Sequence, residues 1–285
     1  SVRDYSEDLP GIPYPYPKLA IFNGKEGMEF PMIMNNGESD YKGTLFVTTH
    51  EIGHTYFPFL VSTNQRRHGW MDEGLIRVIG QEQHLKKETS YNFRNIYLQQ
   101  YPTVAGTQDD IPPIVNSTNI SDDIFQIHEY MRPSLAFWTL RDILGKDLFK
   151  QCLREFIEAW TEKLPTPWDM FYSFEKTAGM PLDWFFNPWF CNFAYPDLEI
   201  SGIEKKMDKS EIKITNKGGM PFPSILKITL KDGSEVIYPV PAEAWMNTPE
   251  LTFSIPENKP ASHAELVTEG YPDINLSNNS WKEVR

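Results

Sequence analysis

Cysteine is nearly absent from this chain: Cys152 and Cys191 are the only two in 285 residues. Neither belongs to a Cys-x-x-Cys pair, which excludes a zinc ribbon. One disulfide is the most they can form, and so few cysteines say little about compartment. Long apolar runs are missing too: none approaches the roughly 20 residues needed to cross a bilayer, so no transmembrane segment is expected. Positive charge is in deficit, with 27 basic against 39 acidic residues and a net charge of −12. Such a chain repels nucleic acid and anionic membrane surfaces, and neither is expected as a partner. The opening SVRDYSEDLPG lacks the basic start and apolar stretch of a signal peptide and reads as the interior of a longer precursor. On that basis a secreted or periplasmic setting is the expectation. There is no internal repeat and no low-complexity tract.

What is present is a chain long enough for two domains. Aromatic residues make up 14% of it, with eight Trp, which argues for large packed interiors. The proline-rich PGIPYPYPKLA is extended. Lys18–Asn23 and Glu29–Met34 suit two strands joined by a turn at Asn23–Gly24. From Gly43 the pattern is helical, with Leu45, Phe46, Ile52 and Phe57 on one broad face, although Val47-Thr48-Thr49 are poor helix formers. Pro58 should end or kink that helix. A second helix fits Trp70 to about Leu85, and successive helices run from Asp122 to about Ala194. Among them are Tyr130–Leu144, stopped by Gly145, then Lys146–Trp160 and Trp168–Ala178. The aromatics of PLDWFFNPWF are expected in the core. Beyond Asp197, the segments Ser210–Thr215, Ile225–Leu230, Glu235–Val240 and Leu251–Ile255 alternate apolar and polar residues between turns. That texture predicts an antiparallel β-domain, plausible as a sandwich.

The sharpest local signal is His50-Glu51-Ile52-Gly53-His54. In a helix, positions i and i+4 lie on one face, so both imidazoles can reach one metal ion, while Glu51 flanks it as a proton acceptor. A catalytic zinc takes a third protein ligand and keeps a fourth position open. Trp70-Met71-Asp72-Glu73-Gly74-Leu75 supplies a candidate, Glu73, after an 18-residue spacer from His54.

HExxH followed by this spacer and a W-x-x-E-G helix resembles the gluzincin metallopeptidases, specifically the M1 aminopeptidase family. Tyr130-Met-Arg-Pro-Ser-Leu-Ala-Phe-Trp-Thr-Leu-Arg-Asp-Ile-Leu-Gly aligns without gaps on the family's Tyr-Glu-Lys-Gly-Ala helix. Glu26-Gly27-Met28-Glu29-Phe30 sits where the family carries Gly-Ala-Met-Glu-Asn. The resemblance spans about residues 10–195. It implies one zinc ion held by His50, His54 and Glu73, with Glu51 as general base and Tyr130 as donor to the tetrahedral intermediate. Glu29 would anchor the substrate's free amino group, with Gly27 and Met28 beside it. It also implies an α+β architecture: a thermolysin-like, mostly helical zinc peptidase domain with a small N-terminal β region over 1–196, then an antiparallel β-sandwich over 197–285. Peptides are the implied substrates. The family's N-terminal β-domain is absent from this chain.

Several positions depart from the family wording. Glu26 and Phe30 replace Gly and Asn, and Tyr56-Phe57-Pro58-Phe59 stands for Trp-Phe-Gly-Asn. Three readings therefore stay open: an aminopeptidase, a zinc endopeptidase or other zinc hydrolase without amine anchoring, and a binding module that keeps the fold. His68, His84 and His128 bear no spacing relation to the motif and are expected at the surface or at helix ends. Asp72 is either an orienting acceptor beside a ligand or a solvated carboxylate.

Overall fold

The computed structural model describes residues 1–37, 39–206, 209–256 and 260–283. Helices and mainly antiparallel sheets make the architecture α+β. The chain divides into two compact units, Ser1–Tyr97 with Ile111–Phe186 and Leu98–Asp110 with Asn187–Arg285.

The first unit opens with helix α1, Val2–Glu7, which the sequence reading did not foresee. Tyr5 pins it: the side chain is fully buried and its hydroxyl donates to the Thr49 carbonyl at 2.6 Å. Strands β1 (Ala20–Asn23), β2 (Met28–Phe30) and β3 (Ile33–Asn36) form a sheet in the order β1-β3-β2. The second expected strand is thus split, because Met32 adopts φ 62° and folds β2 back antiparallel on β3. β1 runs parallel to β3, pairing Ala20 with Ile33. Asn23–Gly24 therefore makes no hairpin; it starts a connection to the far edge.

Helix α2 spans Tyr41–Gly53, and Asp40 caps it by accepting the Gly43 N–H at 2.8 Å. Local partners offset the weak propensity of Thr48 and Thr49. Thr48 Oγ1 accepts from Asn36 Nδ2 at 2.8 Å, and Thr49 Oγ1 donates to the Leu45 carbonyl at 2.8 Å. The helix stops at Gly53, ahead of Pro58. Phe57 leaves the helical region (φ −138°, ψ 117°) and is buried against Phe156, ring centroids 6.0 Å apart.

A short helix α3 (Gln65–His68) precedes α4, Glu73–Leu85. α5 follows at Phe93–Gln100. A π-helical turn, Gln126–Met131, leads into α6, Arg132–Leu144, whose first turn holds Pro133 and whose end is Gly145 at φ 79°. α7 (Lys146–Trp160), α8 (Pro167–Ala178) and α9 (Asp183–Phe186) complete the unit. α8 starts on a reciprocal capping box between Thr166 and Asp169, worth about 1 kcal/mol. Trp70 lies between Phe137 and Phe171, centroids at 6.1 and 5.9 Å, and Phe171 stacks on Phe186 at 4.3 Å. Each such buried ring contributes roughly 1.5–3 kcal/mol, and together they fix the floor beneath α4.

The second unit carries β4 (Leu198–Lys205), β5 (Lys209–Asn216), β6 (Ser224–Leu230), β7 (Glu235–Val240), β8 (Glu250–Pro256), β9 (Ala261–Val267) and β10 (Ser280–Lys282). They form two antiparallel sheets, β10-β9-β6-β7 and β4-β5-β8. Alternation gives β5 one buried row, Ser210, Ile212, Ile214 and Asn216. β4, β9 and β10 escaped the sequence reading. Trp189 donates its indole N–H to the Pro221 carbonyl at 2.9 Å, and Phe185, Phe186 and Phe190 are buried, so PLDWFFNPWF supplies core residues as expected. Cys152 and Cys191 form no disulfide. Among the described residues no helix is long and apolar enough to cross a membrane.

Candidate active site

His50, on α2, and His54, the residue that closes its C-terminal end, lie one helical turn apart, rings at 86° and Nε2 atoms 3.2 Å apart. Glu73, the first residue of α4, brings Oε2 to 3.1 Å from His50 Nε2 and 3.4 Å from His54 Nε2. Three donor atoms therefore form a near-equilateral triangle. A tetrahedral zinc ion with bonds of about 2.0–2.1 Å needs donors about 3.3 Å apart, so this set fits one. His54 Nδ1 lies 2.9 Å from the Phe57 carbonyl, which can only accept. Nδ1 thus carries a proton, and Nε2 is the nitrogen aimed at the triangle.

The electrostatics favour a cation here. Burial works to lower the pKa of His54, but the Glu73 carboxylate overcomes it and raises it to about 10. Burial, aided by the charge of Arg77, lowers His50 to about 4. Burial would raise Glu73, yet His54 and hydrogen bonds to both imidazoles hold it well below the usual carboxylate range.

Asp72 is fully buried, which removes the reading of a solvated carboxylate. Its Oδ1 accepts the Glu73 N–H at 2.6 Å and so caps α4 at the residue that presents the third donor. Burial and then the charge of Glu73 push its carboxyl well above the ordinary range.

Glu51 is buried beside the triangle, and its Oε2 has no hydrogen-bond partner among the described residues. Burial raises its pKa to about 7; His54 opposes the shift, and Glu29 and Glu73 reinforce it. Its donor oxygen lies within 4.8 Å of one on Glu29 and one nitrogen of His54. Gly27 passes so close that a Cβ there would sit 2.7 Å from Glu51 Oε1. Glu29, on β2, accepts a hydrogen bond from Gln65 Nε2 at 2.7 Å. With Met28, Glu29, Gln65, Glu73, Ser117 and Phe125 on its walls, a cleft of about 480 Å³ opens over the site. Tyr130 sits in the π-helical turn, its ring 6.4 Å from that of His50. Burial, then the charge of Glu73, raises its pKa well above the usual phenol value.

The expected site residues thus gather around the triangle, from elements far apart in sequence, and Met28, Glu29 and Glu73 also line the cleft. Of the other histidines, His68 ends α3 and His84 lies in the last turn of α4, as expected, whereas the burial of His84 and of His128 departs from expectation. His84 and His128 are fully buried: His84 packs its ring against Phe46 and Tyr91, and His128 Nδ1 lies 2.9 Å from Glu129 Oε1. His68 is half-buried at the end of α3. Sequence reasoning passed over Arg77, whose guanidinium lies 4.8 Å from the centroid of the Tyr130 ring. The available signal was its place four residues after Glu73, on the same helical face.

The family model described as "Peptidase family M1 domain" matches residues 29–189. The chain is 22% identical over 233 residues to Aminopeptidase M1-A of Oryza sativa subsp. japonica, covering 73% of this chain and 26% of that protein. It is 21% identical over 242 residues to Aminopeptidase M1-C of the same organism, covering 76% and 27%. To Probable aminopeptidase 2 of Sulfurisphaera tokodaii it is 20% identical over 280 residues, covering 90% and 34%. The chain spans about a quarter to a third of the length of these curated relatives. With the family's domain matched over more than half of its 285 residues, and the His50, His54 and Glu73 donors gathered within it, the chain belongs to peptidase family M1.

Proposed function

We propose that this chain carries a zinc-dependent peptidase site that removes residues from the N-termini of peptides. The observation behind the reading is the triangle of His50, His54 and Glu73 donors, 3.1–3.4 Å on each side, flanked by the buried Glu51. His50, His54 and Glu73 would hold a zinc ion, which would supply Lewis-acid polarisation of the scissile carbonyl and lower the pKa of water toward about 7. Glu51 takes the proton of the attacking water and passes it to the leaving amine, a role its buried carboxylate beside the triangle suits. The Tyr130 hydroxyl donates to the oxyanion as it develops, which is where a fixed donor is worth most. Glu29 pairs with the substrate's ammonium group and sets the cut one residue in, with Gly27 and Met28 on the same wall. The fold reading belongs to the same proposal: residues 1–196 as a thermolysin-like catalytic domain and 197–285 as a β-sandwich.

A second reading, cleavage without amine anchoring, draws on one contact. Gln65 already occupies Glu29 Oε1. Two measurements separate the possibilities. Metal analysis of the parent and of Glu73→Ala should give about one zinc per chain, lost in the variant. A free-amine dipeptide amide should be cleaved and its N-acetylated form spared; equal cleavage of both would exclude the aminopeptidase reading. Metal-loaded protein that cleaves neither these nor a broad peptide library would be a binding module.

A further inference from the structure

Arg77 is a buried cation, 8% exposed, and among the described residues it forms no ion pair with a carboxylate. Its Nε and Nη1 have no hydrogen-bond partner there. What surrounds it instead is ring faces. Its Cζ lies 5.0 Å from the centroid of Phe46, 4.5 Å from Phe93 and 4.8 Å from Tyr130. A desolvated guanidinium is attracted to the negative face of each ring, and its planar shape stacks where an ammonium cannot.

The three rings belong to different elements. Phe46 is on α2, one turn before His50; Phe93 opens α5; Tyr130 lies on the π-helical turn. Arg77 itself follows Glu73 by one turn on α4. One side chain therefore ties the helix bearing the histidines to the helix bearing Glu73 and to the segment bearing Tyr130. Tyr130 presents its ring face to Arg77, and the cation on that face restrains the ring's rotation about its Cα–Cβ and Cβ–Cγ bonds.

We infer that Arg77 is a positioning residue for Tyr130: stacked on the ring, it fixes where the phenol hydroxyl meets the substrate. The inference rests on the proposed role of Tyr130 as oxyanion donor. It calls for a double-mutant cycle with zinc-loaded protein. Arg77→Met should lower kcat roughly tenfold, the scale of one buried cation–π contact, with KM and zinc content nearly unchanged. Arg77→Lys should recover part of the loss. In a Tyr130→Phe background, Arg77→Met should cost little more, because the group it positions is gone.

An equal loss from Arg77→Met in both backgrounds would overturn the inference while leaving the role of Tyr130 intact. No loss in Tyr130→Phe itself would remove the role of Tyr130, and the inference with it. If Arg77→Met does not fold, the same cycle is run with Arg77→Lys and read by the same criteria. A fluorotyrosine placed at position 130 supplies a readout independent of turnover. Its 19F resonance should move toward that of a mobile tyrosine when Arg77 is replaced, and an unmoved resonance would count against the stacking role.

Discussion

Asp72 Oδ1 accepts the backbone N–H of Glu73 at 2.6 Å, so the third donor of the triangle is held in place by the residue before it. Replacing Asp72 by alanine removes a helix cap and should cost about 1 kcal/mol of stability. It should also weaken zinc binding, by letting the first turn of α4 fray. Asp72→Asn keeps an acceptor oxygen and stands in for a carboxyl whose pKa is already pushed up by burial and by Glu73. It should stay close to the parent in both respects. Thermal unfolding beside a competitive zinc titration separates the two variants, and equal behaviour of both would show that the cap has no part in holding Glu73.

Glu51→Gln should retain zinc and lose turnover by roughly a hundredfold or more, because the amide occupies the same space and cannot take a proton. Metal analysis and steady-state kinetics on one preparation test this. Substantial activity with bound zinc would move the general base elsewhere.

Gly74 follows the third donor and lies against α6. A Cβ there would come within 2.9 Å of Pro133 Cβ and 3.1 Å of its Cγ. Ser134 Oγ donates to the Gly74 carbonyl at 3.2 Å across the same contact. Alanine favours a helix over glycine by about 1 kcal/mol, yet here overpacking of about 1–3 kcal/mol should outweigh that gain. Gly74→Ala is therefore expected to lower the unfolding midpoint. A raised midpoint would mean that α4 and α6 can separate at no cost.

The start of the chain should loosen in acid. Lys87 holds Asp4, and Lys86 holds Asp8, below the usual carboxylate range, through hydrogen bonds of 2.5 and 2.6 Å. A depressed folded-state pKa contributes stability above the unfolded value near 4, and that stability is lost as pH falls through the folded value. Both pairs are partly exposed, so after screening each is worth about 0.5 kcal/mol. Stability of parent and of an Asp4→Asn, Asp8→Asn variant, followed from pH 6 to pH 3, should converge at the acid end. A gap that persists there would assign the difference to something other than these charges.

The donor triangle was legible because its geometry is local: His50 and His54 are set by helical periodicity alone, and Glu73 by the helix that follows. Partners distant in sequence decided what was not legible. α4 begins at Glu73, three residues after the expected Trp70, because the side chain of Asp72 caps it. β1 pairs with β3 rather than across Asn23–Gly24, a choice set by Met32 folding the chain back at φ 62°. His84 and His128 were expected at the surface or at helix ends; His84 does lie in the last turn of α4, but only packing reveals that both are buried. Arg77 carries no motif at all; its meaning lies in three rings drawn from residues 46, 93 and 130. In the second unit, β4, β9 and β10 lack the clean alternation that disclosed β5, and pairing alone defines them.

The bond between His54 Nδ1 and the Phe57 carbonyl has a consequence for how this segment can vary. A main-chain oxygen chooses which nitrogen of the imidazole is left bare, and every amino acid possesses that oxygen. Drift in the side chains that follow the second histidine is thus free at this point, provided the backbone path survives. Other side chains could stand in place of Tyr56-Phe57-Pro58-Phe59, and the imidazole would not tell the difference.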